Sequence, residues 1–387
     1  MIRSIWRYAQ NFTRLLVHQE GRKLLRQTEH KVLAPELAGK ALVHGLLRAQ
    51  EAQADGGFST WYIDRGWTSS YPETTGYIVP ALLEAGKWLE MQAQTQESAR
   101  KALDWLLEIQ FADGGWPGGY VAQKRPAVVF NTAQVIRGML AGWEHFQEER
   151  YLASAVKAGT WLVDIQDAQG FWSQSVYLNR VRVYDTYVAA PLAALYIKTG
   201  NGLFAEAARK QCEWVIREKQ HPNAWFADAD NTIQHNNRPI LHTIAYTIDG
   251  LIETGVLLKH APFVEAGKRA ADVLLKKLLE DGRLHGRYDA SWRGTEAFIT
   301  TGGAQMSIAW QRLWAHTGEQ QYREAASMMN SWLRELQVQE STWPCQGALF
   351  GSAPLWGRYE AFGCPNWASK YFLEALTMEA LQTNQNH

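Results

Sequence analysis

The stretch Lys157-Ala158-Gly159-Thr160-Trp161-Leu162-Val163-Asp164-Ile165-Gln166, followed by Gly170-Phe171-Trp172, decides the fold. It reads as a helix that ends in Gln and runs into a Gly–aromatic turn. The pattern recurs. Lys101-Ala102 leads to Trp105-Leu106, Gln110 and Gly114-Gly115-Trp116, and Leu46-Leu47 leads to Gln50 and Gly56-Gly57-Phe58. Looser copies run from Gln211 through Trp214 to Gln220 and Trp225-Phe226, and from Ser331-Trp332-Leu333 to Gln337. The first four terminal glutamines lie roughly 54 to 60 residues apart, and Gln220 and Gln337 about two such periods apart, the spacing of a helical hairpin with its loops. The fifth copy is the weakest, with Leu278-Leu279-Glu280-Asp281-Gly282 in place of the glutamine.

Two kinds of helix alternate. Segments 36–50, 97–110, 152–166, 204–219, 263–279 and 320–337 carry charge on one face. Between them lie segments poor in charge, such as Thr75-Gly76-Tyr77-Ile78-Val79-Pro80-Ala81-Leu82-Leu83 and Tyr187-Val188-Ala189-Ala190-Pro191-Leu192. A helix apolar on nearly every side is buried on every side, so the second kind is inner and the first outer. Gly86, Gly142, Gly200, Gly255 and Gly318 read as inner-helix stops. Six such hairpins predict an all-α (α/α)6 toroid, a double ring, over residues 35–387.

Residues 1–34 hold a further helix, expected from about Ser4 to Gln27, with Ile5, Tyr8, Phe12, Leu15 and Leu16 on one face and Arg3, Arg7, Arg14, Arg22, Lys23 and Arg26 making it basic. It either packs across the toroid or makes peripheral contact with an anionic membrane through residues 1–27.

The pattern Lys/Arg-Ala-x-x-aromatic-Leu-x-x-x-Gln-(x)-Gly-x-Trp resembles the QW repeat of squalene–hopene cyclases and related α/α-toroid proteins, over about residues 36–382. The resemblance implies the toroid and no particular chemistry. Related toroids serve terpenoid cyclases, protein prenyltransferases, thioester-containing complement domains and, more distantly, carbohydrate-active enzymes. The cyclase acid, Asp-x-Asp-Asp at an inner-helix start, has its nearest counterpart in Asp228-Ala229-Asp230-Asn231, which lacks the last Asp and lies in a loop. Zinc ligands of the prenyltransferase kind would have to come from Cys345 or Cys364 with His242 or His285, at no compact spacing.

Composition narrows the class. Lys+Arg and Asp+Glu both number 39, so no field of one sign points to nucleic acid. Three cysteines make no disulfide framework. The N-terminus has no apolar signal core, and no run of 18 apolar residues spans a membrane, so the expectation is a soluble cytoplasmic protein, with membrane association as the alternative. Nothing calls for a cofactor or a metal.

Aligning the inner-helix starts gives a column: Thr74, Asn131, Asp185, His242, Thr300 and Asn366. The next column is Thr in five of six repeats. Helix capping accounts for much of this. It does not account for His242, nor for Glu73 beside the column. Converging helix N-termini also offer N–H groups and partial positive charge at one mouth. The expected catalytic residues are therefore Glu73, Asp185 and His242, with His285 and Tyr288 from the fifth loop. Substrate contacts are expected from Trp61, Tyr62, Trp67, Asn131, Trp172, Tyr184, Arg238, Tyr246, Arg287, Trp292, Asn366 and Lys370. Exposed aromatics interleaved with Asp, Arg, Asn and His suit sugars: rings stack on a pyranose face while polar groups bond its hydroxyls. The sequence thus points to a carbohydrate-active enzyme acting on an oligosaccharide or uronate-containing glycan, with hydrolysis, elimination and epimerisation all open. The alternatives are a terpenoid-cyclase or prenyl-binding toroid and a non-catalytic glycan-binding or scaffold protein.

Overall fold

Outside the rings, α1 (Ile2–Val17) and α2 (Gln19–Leu25) precede the first outer helix, α3 (Pro35–Glu51). The computed structural model describes residues 2–25, 32–232, 234–339 and 341–384. Inner and outer helices then alternate: α4 (Pro72–Leu89), α5 (Gln92–Glu108), α6 (Val129–Phe146), α7 (Glu149–Asp164), α8 (Thr186–Thr199), α9 (Gly202–Glu218). They continue with α10 (Leu241–Leu257), α11 (Ala261–Asp281), α12 (Thr300–Thr317), α13 (Gln320–Leu336) and α14 (Asn366–Asn384). The inner ring closes, with α4 touching α6, α6 touching α8, and so on until α14 returns to α4. Each outer helix packs back on the inner helix before it, and α3, which follows none, packs on α14. The (α/α)6 expectation therefore holds, with its last hairpin built from opposite ends of the chain.

The repeated glutamine turns out to be a clamp between successive outer helices. Gln166 Nε2 donates to Gly170 O at 2.8 Å and to Ala207 O of α9 at 2.9 Å. Gln110 reaches Gly114 O and Ser154 O of α7, and Gln50 reaches Gly56 O and Ser98 O of α5. Gln220 reaches Ala266 O of α11, and Gln337 reaches Gly347 O and Ala38 O of α3. Two planar donors of one amide thus tie a turn and the neighbouring helix to a single point. The link from α11 to α13, where the sequence lacks the glutamine, is the one without this clamp.

The turn aromatics are structural too. Trp116 and Trp172 are fully buried, and each indole N–H donates to a carbonyl at its own helix end, Leu106 O at 2.8 Å and Leu162 O at 2.9 Å. The threonine column receives the same turns: Thr75 accepts from Phe58 N and Thr132 from Trp116 N, both at 2.9 Å. Small residues let the inner helices approach. A Cβ on Gly138 would lie 2.4 Å from Gly76 O, so only glycine allows the α4–α6 crossing.

Of the expected glycine stops, Gly200 and Gly318 do take the left-handed conformation, at φ 72° and 75°. Gly86, Gly142 and Gly255 do not end their helices. They lie inside them, where a Cβ would strike Thr95, Leu103 and Val264 of the packed outer helix.

The N-terminal segment is two helices, because α2 turns back at His18 to press Gly21 onto Leu15. Tyr8 and Phe12 meet Phe362 and Trp356 of the rim, and Leu15 is fully buried. Ile5 and Leu16, expected on that face, point outward with Trp6 and Val17. Arg26 and Gln27 lie outside the described residues. Two-residue strands knit the rim loops over the inner-helix N-termini: β1 (Trp61–Tyr62) pairs with β2 (Gly66–Trp67), β3 (Arg287–Tyr288) with β4 (Gly294–Thr295), β5 (Phe298–Ile299) with β6 (Ser352–Ala353), and β7 (Gly363–Cys364) joins β1.

Replacing Gln337, which is buried and holds the seam between α13 and α3, tests the clamp. Gln337→Ala removes two buried hydrogen bonds and is expected to lower stability by about 2–3 kcal/mol in urea unfolding. Amide exchange should quicken first in α3. An unchanged urea midpoint would show that the clamp does not hold the ring.

Candidate functional site

At the N-terminal end of the inner ring lies a cavity of about 270 Å³. The first turns of the inner helices deliver Glu73 from α4, Asn131 from α6, His242 and Thr243 from α10 and Trp367 from α14, while Tyr184 arrives just ahead of α8. Seven tyrosines share the wall: Tyr71 stands 5.1 Å from Tyr120, and Tyr246 lies 4.5 Å from the His242 ring. Phe130 packs on Tyr184 at 5.4 Å and on Tyr246 at 5.0 Å, ring centre to ring centre. The cavity is smaller than the roughly 300–1,000 Å³ that takes a drug-sized ligand, which suits one sugar ring.

Glu73 is 8% exposed. Burial pushes its carboxyl up to about 7, against a hydrogen bond of 2.8 Å from the Tyr71 hydroxyl that favours the ionised form. Burial acts the other way on His242, bringing the imidazole down to about 4, so it is neutral at pH 7. Its Nδ1 lies 2.9 Å from Gln305 Oε1 on α12. With the amide oxygen assigned there, Nδ1 carries the proton and Nε2 keeps its lone pair. Asn131 Nδ2 is buried without a protein partner among the described residues. The cavity therefore combines a carboxyl poised near neutrality, a neutral imidazole, an amide donor and a wall of rings.

Glu360, absent from the sequence expectations, also lines this cavity, from the loop between β6 and β7. The Tyr62 hydroxyl donates to its Oε2, the Arg65 guanidinium lies 3.6 Å from the Tyr62 ring centre, and burial raises the carboxyl above its usual range. The one available signal was the pair Tyr359-Glu360, an aromatic beside a carboxylate in the last long loop. Beyond Glu360 opens a groove of about 980 Å³ carrying Arg7 of α1, Arg65, Arg238 and Arg358.

The structure brings together Glu73, Asn131, Tyr184, His242 and Tyr246 in the cavity, and sets Tyr62 and Arg238 in the adjoining groove. The other expected residues stand elsewhere. Asp185 is buried beside Tyr184 without lining the cavity; burial raises its carboxyl to about 8, with Arg182 opposing. Trp172 caps its own helix, as described above. Trp61 packs on Trp343, and Trp67 pairs with it in the rim sheet. His285 lies 3.8 Å from Asp281, and the buried Tyr288 hydroxyl accepts from His285 N. Trp292 donates to Asn223 O at 2.9 Å, which again satisfies a buried indole. Arg287 clamps two rim loops through Asp230, Glu296 and Arg238 O. Asn366 donates to Ser59 O, and Lys370 pairs with Glu374 behind the Tyr77 ring.

Capping does not explain the column either. The residues at the cap positions of α4, α6, α10 and α12 are Tyr71, Val128, Ile240 and Ile299, and Asp185, at that of α8, makes no side-chain cap bond. Three members of the column bond other elements instead: His242 meets Gln305, Thr300 donates to Phe350 O and Asn366 donates to Ser59 O. The acidic loop is structural as well. Asp228 pairs with Lys219, and Asp230 pairs with Arg287. Burial would raise Asp230, but Thr232 and Arg287 hold it below its usual range, the opposite of what a protonating cyclase acid requires.

No family model matches the chain, and no curated protein matches it. Solved structures do. An unsaturated glucuronyl hydrolase specific for heparin is 14% identical, with 90% of this chain and 98% of that one covered and a TM-score of 0.73. An α-amylase from Clostridium perfringens gives 10%, 89%, 98% and 0.65, and a sugar epimerase from a ruminal bacterium gives 13%, 87%, 96% and 0.67. These matches add nothing to the squalene–hopene cyclase part of the resemblance. They show the fold, and the chain is an α/α toroid.

Proposed function

We propose that the chain is a carbohydrate-active enzyme that holds one sugar of an oligosaccharide or uronate-containing glycan in the tyrosine-walled cavity and moves a proton with Glu73. The observation that carries this is Glu73 itself: a buried carboxyl in a one-sugar cavity, brought to about 7, where a general base is most effective. Tyr71, Tyr120 and Trp367 offer ring faces, and Asn131 Nδ2 and neutral His242 offer hydrogen bonds to sugar hydroxyls. The names of the matched structures, a glucuronyl hydrolase, an amylase and an epimerase, support sugar chemistry on this scaffold. No step needs a cofactor.

A second observation supports peripheral membrane contact. Ile5, Trp6, Leu16 and Val17 are each at least 60% exposed on α1, close to Arg14, Arg22 and Lys23. No helix among the described residues is long and apolar enough to cross a membrane.

A panel of neutral and uronate-terminated oligosaccharides, screened by thermal shift, should raise the unfolding temperature for at least one sugar class. Stabilisation by prenyl diphosphates alone would overturn the reading. Turnover of the stabilising sugar should rise with pH through about 7 as Glu73 ionises, and Glu73→Gln should lower it at least about 100-fold.

The same substitution should act on stability in the opposite sense. Glu73 has a folded value near 7 against an ordinary 4.5, so the native state holds a proton that the unfolded state releases. Its contribution is fully present below about 4.5 and is lost as pH rises through 7. Glu73→Gln should therefore be more stable than the parent at pH 8, by up to about 3 kcal/mol, and nearly equal to it at pH 4. Equal stability at both would place Glu73 in a wetter setting than its burial indicates.

Sedimentation with phosphatidylglycerol vesicles tests α1: binding should exceed that to phosphatidylcholine vesicles and disappear in Trp6→Glu/Leu16→Glu. No binding to either lipid, or binding unchanged in Trp6→Glu/Leu16→Glu, would remove the membrane reading.

A further inference from the structure

We infer that Glu360 is a second catalytic carboxyl, the acid that protonates the departing oxygen of a glycosidic bond lying between the cavity and the arginine-lined groove. The inference rests on the reading of Glu73 as the base.

Position carries it. Among the described residues, Glu360 lines both spaces, whereas Glu73 lines the cavity alone. One sugar fills the cavity, so the next must lie in the groove, and the bond between them passes Glu360. Glu73, which lines the cavity and not the groove, is then the carboxyl left to take the proton of a water attacking C1 from the face opposite the leaving group.

The backbone supports the assignment independently. Glu360 has φ 47°, and Phe362, two residues on, has φ 61°. Left-handed conformations at two non-glycine residues store strain, which persists only where the surroundings impose it and which clusters at functional sites. Here β7, held to β1, fixes the loop: Gly363 N donates to Glu360 O at 2.9 Å, and Ile63 N to Phe362 O at 3.0 Å.

The groups facing the carboxyl are Tyr62, whose hydroxyl donates to it, with Arg65 and Arg7 from the groove side and Tyr120 and Tyr359 from the cavity side. Burial outweighs the hydrogen bond and the arginines, so the protonated form persists above the usual carboxylate range.

The step balances. Glu360 gives its proton to the bridging oxygen, and the C1–O bond breaks with its electron pair remaining on that oxygen, which becomes a hydroxyl of the groove sugar. A water oxygen bonds to C1, and the proton it sheds goes to Glu73. One water is consumed, and the proton returns from Glu73 to Glu360 through solvent.

The test uses two substrates for each of three sugars: glucose, galactose and glucuronic acid. One is a disaccharide with that sugar at its non-reducing end; the other is the 2,4-dinitrophenyl glycoside, whose leaving group needs no proton. Glu360→Gln should cleave the disaccharide at least about 100-fold more slowly than the parent and the aryl glycoside within about 5-fold of it. Glu73→Gln should lose both. Equal losses on the two substrates in Glu360→Gln, or no loss on either, would overturn the assignment. So would a parent protein that binds these sugars with the Glu73 pH dependence but cleaves none of them, and that outcome leaves the Glu73 reading intact. Full activity of Glu73→Gln would overturn that reading instead. Should Glu360→Gln fail to fold, Tyr62→Phe tests the same point. Losing its hydrogen bond should move the alkaline decline of disaccharide cleavage to higher pH, and an unmoved decline counts against Glu360.

Discussion

Six helices packed in a ring cannot fill their own axis, and everything distinctive about this chain follows from what occupies that space. Midway along the axis it is filled by charge. Arg137 of α6 makes a bidentate pair with Glu253 of α10, both contacts at 2.8 Å. Arg312 of α12 pairs with Asp249 at 2.9 Å, and Lys370 pairs with Glu374 along α14. Three cations thus meet three anions, the condition for keeping ionised groups away from water. Next comes a layer of rings, where Tyr187 receives Arg137 at 4.3 Å and Tyr371 receives Lys370 at 3.8 Å. Above that layer the axis stays open, and there the first turns of the helices present Glu73, Asn131 and His242. The cavity is the unfilled end of a space the fold must create.

The ladder from charge through rings to cavity also sets the chemistry. The ion pairs neutralise one another below the tyrosines, so Glu73 has no cation to stabilise its ionised form. Desolvation therefore dominates, and a carboxyl near neutrality results. Glu253, partly buried, has Arg137 and Arg312 at hand, and they hold its carboxyl well below the usual range against the pull of burial. The difference between the two glutamates lies in their neighbours.

The ring was legible in the sequence because its rules are local. Glutamine, glycine and aromatic recur at fixed spacing because each clamp must reach the next outer helix over the same distance. Register then placed Glu73, Asn131 and His242 at one mouth. The tryptophans misled for a physical reason. An indole that stacks on a sugar and one that satisfies its N–H at Leu162 O or Asn223 O are the same letter in the same kind of loop. Glu360 was illegible because no periodicity governs its loop. Its place depends on β7 meeting β1, residues some 300 apart in the chain.

Because α3 completes its hairpin with α14, the ring can be sealed only once every helix between them has been made. Until then the apolar faces of α4 and α12 have no partner on that side, and Trp367 and Glu360 have not reached the mouth. A nascent chain short of α14 is therefore a sticky crescent whose cavity is incomplete. The waiting crescent, its seam still open, is the species that calls for a chaperone.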